Sequence, residues 1–167
     1  IEKILNIARN DESALAINPV KIQLLPFLNE IIEPLKLKHE NLKIEIDVND
    51  DETIFADEFH FTNIVHNLID NSIKYSEENP EIKIKSTRNN KELKLDFSDN
   101  GIGIPTKNIS FIFDKFYRVS NKKNNEVNGF GLGLFYVKKI VQQHHWKIFA
   151  RNNSEKGLTI SITFPNS

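Results

Sequence analysis

Residues 93–105 read Leu93-Lys94-Leu95-Asp96-Phe97-Ser98-Asp99-Asn100-Gly101-Ile102-Gly103-Ile104-Pro105. Leu93, Leu95, Phe97 and Asp99 share parity, so in an extended chain they point to one side. Three of them are apolar, which makes that side the core-facing one. The fourth is a carboxylate, and a buried carboxylate needs a partner because an unpaired charge is costly to take out of water. Gly101 and Gly103 follow at once, where missing side chains let another molecule approach the backbone. Asp99 can be read as the acceptor for an exocyclic amine such as that of adenine. It can equally cap a tight Asn-Gly turn, and the stretch taken alone favours the turn.

Outward from this point, Glu81–Arg88 alternates in the same way and joins Glu92–Ser98 through Asn89-Asn90, a hairpin turn. Residues 100–130 are loop-rich. A helix from about Gly131 to His144 then precedes two more strands, Lys147–Arg151 and Leu158–Phe164. Upstream, Leu42–Val48 reads as a strand, and Asp57 is a good N-cap for a helix that begins there. A helix over Leu25–His39 contains Pro34, expected to kink it. Ile1, Ile4, Leu5 and Ala8 lie at helical spacing and read as the end of a longer helix, which Asn18-Pro19 breaks. Loosely alternating helices and strands, with paired strands at the end, predict an α/β two-layer sandwich with a mixed sheet and three main helices.

Composition narrows the function. A hydrophobic fraction of 39% with 27% charged residues describes a globular chain. A net charge of −1 provides no electrostatic basis for binding nucleic acid. With no cysteine, disulfides, thiolate metal sites and cysteine nucleophiles are excluded. The chain starts at Ile1 and contains no methionine, so it is read as a piece whose native start lies upstream.

Two further stretches carry chemistry. In the helix through residues 66–75, His66-Asn67-Leu68-Ile69-Asp70-Asn71-Ser72-Ile73-Lys74-Tyr75, the side chains of Asn67, Asn71 and Lys74 fall within about 60° on the helical wheel. Phe61, Val65, Leu68 and Ser72 lie on the far side, toward the core. A carboxamide oxygen suits Mg²⁺, and a lysine one turn on can neutralise phosphate charge. A solvated helix face is an equal reading of the same stripe. Gly129-Phe130-Gly131-Leu132-Gly133-Leu134 then opens the helix Phe135–Val141, where exposed N–H groups and the helix dipole favour phosphate. Neither a Rossmann nor a Walker A context accompanies it.

Taken in order, Asn-x-x-x-Asn-x-x-Lys-Tyr, Asp-x-Gly-x-Gly-Ile-Pro, Phe-Asp-Lys-Phe-Tyr-Arg (Phe113–Arg118) and Gly-x-Gly-x-Gly-Leu resemble the N, G1, F and G2 boxes of bacterial sensor histidine kinases. That family shares the Bergerat fold with gyrase, Hsp90 and the mismatch-repair ATPases. The resemblance spans about residue 18 to Pro165. It implies an ATP-binding catalytic domain over 18–167, with residues 1–17 ending the dimerisation and phosphoacceptor helix and its linker. By the same resemblance, Asn71 holds Mg²⁺ and Asn67 lines the same site. Lys74 and Tyr75 approach phosphates or ribose, and Asp99 receives the adenine amine beside Gly101 and Gly103. Lys115 and Arg118 reach the γ-phosphate from a mobile lid over residues 118–130. Gly129, Gly131 and Gly133 let the lid close, and Ile104, Tyr117, Leu132 and Leu134 complete the nucleotide set.

The implied activity is transfer of the ATP γ-phosphate to a histidine on the dimerisation domain, for relay to a response regulator. The resemblance further implies a cytoplasmic domain of a membrane-anchored sensor, monomeric as a piece and homodimeric when whole. Two other readings compete: a nucleotide-binding pseudokinase, and a slow ATPase. Against the second, ATPase relatives carry a glutamate one turn before the metal-binding asparagine, where this chain has Asn67, which cannot take a proton. His66 is a poor phosphoacceptor, since no His-Glu followed by Pro surrounds it. Two departures stand out: His144-His145-Trp146 replaces His-Gly-Gly, and Gly157-Leu158 replaces Gly-Thr. The first is expected to alter a turn, and the second to weaken a contact near the base.

Overall fold

The computed structural model describes residues 16–119 and 130–166. The helix expected over residues 1–9 and the stretch 120–129 of the expected lid lie outside them.

Alternation in the sequence becomes a one-faced sheet. β1 (Val20–Gln23) runs straight into α1 (Leu24–Lys38); β2 (Lys43–Asp47) and β3 (Thr53–Ala56) follow, then α2 (Glu58–Tyr75). β4 (Glu81–Arg88) and β5 (Glu92–Asp99) form the hairpin, and a 3₁₀ turn spans Thr106–Phe111. α3 (Gly133–Gln143), β6 (Lys147–Asn152) and β7 (Leu158–Pro165) close the chain. The main sheet has the order β2-β4-β5-β7-β6, with β2 parallel to β4 and the other pairs antiparallel. It is mixed, as expected, and the three helices supply the second layer.

Ile82 and Ile84 of β4, Leu93, Leu95 and Phe97 of β5, and Ile160, Ile162 and Phe164 of β7 are buried. They meet Phe61, Val65 and Leu68 of α2 and Val137, Ile140 and Val141 of α3. Burying each such side chain contributes about 1.5–3 kcal/mol, so the apolar row of every element selects its face. Asp57 caps α2 as expected: its Oδ1 accepts the His60 N–H at 3.0 Å, and its Oδ2 accepts the Asn18 N–H at 2.9 Å.

Two points differ from what the sequence led us to expect. β1 and β3 pair antiparallel in a second, two-stranded sheet that is not expected from the sequence. Each has only four residues, and their partnership spans a helix and a strand, so no local pattern announces it. The last helix starts at Gly133 and not Gly131. Pro34 lies inside the first helix, as expected.

Candidate functional site

A cavity of about 290 Å³ opens between the C-terminal half of α2, the ends of β5 and β7, and the start of α3. α2 brings Asn67, Asn71, Lys74 and Tyr75 to its wall. The turn after β5 brings Asp99, Gly103 and Ile104, and the segments around α3 bring Tyr117, Arg118, Gly131, Leu132, Gly133 and Leu134. Gly101 and Lys115 are not on the wall, and Gly129 lies outside the described residues. The Lys115 ammonium sits 5.5 Å from the centre of the Phe116 ring and 6.0 Å from that of Phe135. Sequence reasoning missed Asp70, Ile102, Ile112, Val119, Phe130 and Ile160. It also took Leu68, Ser72 and Phe97 for core alone, although they line the cavity as well; Leu158, expected only to weaken a contact near the base, is on the wall too.

One end of the cavity is built for a flat, partly polar group. Asp99 continues the inward row of β5, and its Oδ1 accepts the N–H groups of Gly101 at 2.9 Å and Leu158 at 3.0 Å. Oδ2 has the Ser72 hydroxyl at 3.3 Å, a hydroxyl that also lies 3.0 Å from the Leu68 carbonyl. Burial pushes the Asp99 carboxyl above its ordinary value, against the lowering effect of the Leu158, Gly101 and Ser72 donors. Phe97, Leu158 and Ile160 give apolar surface beside it. Gly157 adopts φ 95, and a Cβ there would overlap the Asp99 carbonyl oxygen. Only glycine fits so close to that strand. The Asn153 carboxamide donates to the same carbonyl at 2.8 Å.

The other end is polar. Asn67 donates from Nδ2 to the Asn63 carbonyl at 2.7 Å, and its Oδ1 would stand 2.6 Å from a Cβ on Gly133. Its nitrogen is thus bonded to its own helix, and its oxygen lies close against the start of α3. Among the described residues no hydrogen bond holds the Asn71 carboxamide, which is half-buried on the wall. α3 begins with Leu132 at its N-cap and no side chain capping its first turn, so its leading N–H groups are left for a ligand. Among the described residues, no three His, Cys, Asp or Glu side chains could together hold a metal ion.

A family model described as "Histidine kinase-, DNA gyrase B-, and HSP90-like ATPase" matches residues 56–167. This chain belongs to that family. It is 36% identical over 170 residues to the sensor protein RprX of Bacteroides fragilis, covering 99% of this chain and 33% of RprX. It is 30% identical to the signal transduction histidine-protein kinase ArlS of Staphylococcus aureus, covering 98% of this chain and 37% of ArlS. The chain therefore spans about a third of the length of these curated relatives. Among solved structures, the catalytic domain of histidine kinase ThkA is 25% identical, with a TM-score of 0.77 over 89% of this chain and 98% of that one. ThkA in complex with the response regulator protein TrrA is a further match, with a TM-score of 0.81 over 99% of this chain and 47% of that one, at 22% identity. Among the described residues, no helix is long and apolar enough to cross a membrane.

The departures from the usual histidine kinase pattern now have structural accounts. His145 adopts φ 58, the left-handed conformation that glycine takes most readily, at a cost of about 1 kcal/mol for a side chain. Its N–H donates to the Gln142 carbonyl, and the Trp146 N–H donates to Val141, so the helix still ends in a glycine-type cap. Trp146 compensates by entering the core, stacked on His144 at 4.1 Å and edge-on to Phe164 at 4.6 Å. At position 158 the bond to Asp99 is made by the backbone N–H, which leucine supplies as threonine would.

His144 is buried, and its neighbours settle its tautomer. The Ile140 carbonyl at 2.9 Å can only accept, so Nδ1 carries the hydrogen; the Asp57 N–H at 3.0 Å can only donate, so Nε2 is bare. Burial pushes its pKa below the ordinary value, against the raising influence of Ile140 and Asp57. Above pH about 6.5 neither folded nor unfolded chain holds this proton. Below it, the unfolded chain takes a proton that the folded one refuses, so stability falls with falling pH, by at most about 1.4 kcal/mol per unit. Denaturation midpoints followed from pH 7.5 to 5 should therefore drop more steeply for the parent than for His144→Asn. Equal slopes would contradict the assignment.

Proposed function

We propose that this chain is the ATP-binding catalytic domain of a sensor histidine kinase. It holds Mg²⁺-ATP and presents the γ-phosphate to a histidine on the helical dimerisation domain of the same protein, for relay to a response regulator. The observation that carries the reading is the Asp99 carboxylate, anchored through Oδ1 to two backbone N–H groups inside an apolar slot. That arrangement leaves Oδ2 to accept the adenine amine. Asn71 and the α3 N-terminus lie across the cavity, where Asn71 would contribute one oxygen to Mg²⁺ and the N–H groups would meet phosphate. The metal's role when bound is to neutralise charge on the transferring phosphoryl group. Lys74 and Arg118 supply further positive charge. Lys115 would reach the γ-phosphate from the same side, and Gly101, packed against Asp99 and the Tyr75 carbonyl, leaves room for the base.

An ATPase reading is disfavoured because Asn67 is a carboxamide tied to Asn63, so the helix offers no general base for water at that position. A pseudokinase reading is disfavoured by the presence of Asn71, Lys74, Asp99 and Arg118 together around one cavity. The whole protein is proposed to be a membrane-anchored homodimer with this domain in the cytoplasm. Calorimetry tests the nucleotide assignment. ATP with Mg²⁺ should bind at least about tenfold more tightly than GTP, because the guanine carbonyl would set an acceptor against the Asp99 acceptor. Equal binding of the two would refute it.

A further inference from the structure

Two adjacent asparagines at the end of β6 hold the base end of the cavity from behind. Asn153 braces the Asp99 strand: its Nδ2 donates to the Asp99 carbonyl, and its Oδ1 accepts the Thr159 hydroxyl at 2.6 Å. Asn152 does something different. Ile148, Ala150 and Asn152 share one side of β6, and Asn152 is the register partner of Leu158, whose N–H holds Asp99. The Ile104 N–H donates to Asn152 Oδ1 at 2.9 Å, and Asn152 Nδ2 donates to the Ile104 carbonyl at 2.6 Å. One side-chain amide thus pairs with both polar groups of a single residue, as a neighbouring strand would.

Gly103 and Ile104 are wall residues, and Gly103 stands at φ 68 with room for a Cβ only 3.1 Å from Asn152 Oδ1. In this stretch the described main-chain bonds run from Ile102 N–H to the Tyr75 carbonyl and from Asn108 N–H to the Pro105 carbonyl. Between them, the hydrogen bonds of Ile104 go to Asn152. We propose that Asn152 is a positioning residue for the nucleotide base, holding the Gly103–Ile104 backbone at the spacing from Asp99 that the base needs. The inference rests on the reading of this cavity as a nucleotide site. Without the amide donor, the half-buried Ile104 carbonyl loses its partner and the turn can relax away from the slot.

The test uses the chain of 167 residues. ADP binding by the parent is measured first, by calorimetry, followed by competition of inorganic pyrophosphate against a fluorescent ADP analogue. Asn152→Asp keeps the acceptor for the Ile104 N–H but sets two oxygens against each other. In that variant ADP affinity should fall about tenfold, with pyrophosphate affinity within about twofold of the parent and the nucleotide-free chain folded. A general loosening of the fold would weaken both ligands alike. If the parent fails to bind ADP, the nucleotide reading itself is wrong. If the parent binds and the variant matches it, or if ADP and pyrophosphate weaken together, the role given to Asn152 is overturned alone. Should Asn152→Asp not fold, Asn152→Ser is read by the same criteria; if neither folds, Asn152 belongs to the fold and not to the base.

Discussion

Asp99→Asn is expected to lower ATP and ADP affinity at least about tenfold while leaving the protein folded. Asparagine can keep its oxygen where Oδ1 accepts from Gly101 and Leu158, so the local backbone is unchanged. Its nitrogen then stands where Oδ2 was, and a donor faces the adenine amine, also a donor. A buried mismatch of that kind costs on the order of 1–3 kcal/mol. The unliganded fold should not suffer. Burial raises the Asp99 pKa above its unfolded value, so the group contributes stability below the unfolded pKa that is lost as pH rises through the folded one. At neutral pH the buried carboxylate is therefore a cost that a neutral amide relieves. Calorimetry with ADP and a denaturation midpoint measure both halves, and unchanged ADP affinity would remove Asp99 from the base site.

Asn71→Ala acts at the opposite end and should separate metal from base. Binding of ATP without metal should stay within about twofold of the parent, whereas the gain on adding Mg²⁺ should disappear, because the loss removes a protein oxygen from the cation. Asn67→Ala makes a contrasting control. The Asn67 nitrogen bonds its own helix and its oxygen packs on the start of α3, so its loss should act through α3 and leave the response to Mg²⁺ in place. A parent-like Mg²⁺ response in Asn71→Ala would mean that the ligand lies elsewhere.

Much of this site is legible in the sequence because buried polar residues interrupt apolar periodicity. Asp99 stands out as the fourth member of an apolar row, and the stripe Asn67, Asn71, Lys74 stands out on a helix whose far side is core. The same logic applies to Asn152, which follows Ile148 and Ala150 on one side of β6. It does not stand out, because that row is short and ends at a turn, where asparagine is ordinary. Its partner, Ile104, is 48 residues away, a relation that only the folded chain supplies. Lys115 is known to the sequence only through its motif; in the fold its ammonium lies near the Phe116 and Phe135 rings. The second sheet was hidden for another reason. Four-residue strands carry too few alternations to distinguish Val20–Gln23 or Thr53–Ala56 from loop.

As proposed, this chain is the donor half of a phosphotransfer and needs an acceptor from another domain. Positioning supplies much of the rate in phosphoryl transfer, so donor and acceptor must be brought in line. The direct measurement is incubation with labelled ATP and Mg²⁺, alone and with the separate helical domain of the same protein, followed by assay of acid-labile phosphate. Alone, the chain should bind nucleotide and gain almost no label; with the helical domain present, that domain's histidine should be labelled. Efficient self-labelling of the chain would contradict the division of labour and return His66 to consideration, and the absence of phosphohistidine in both arrangements would favour the pseudokinase.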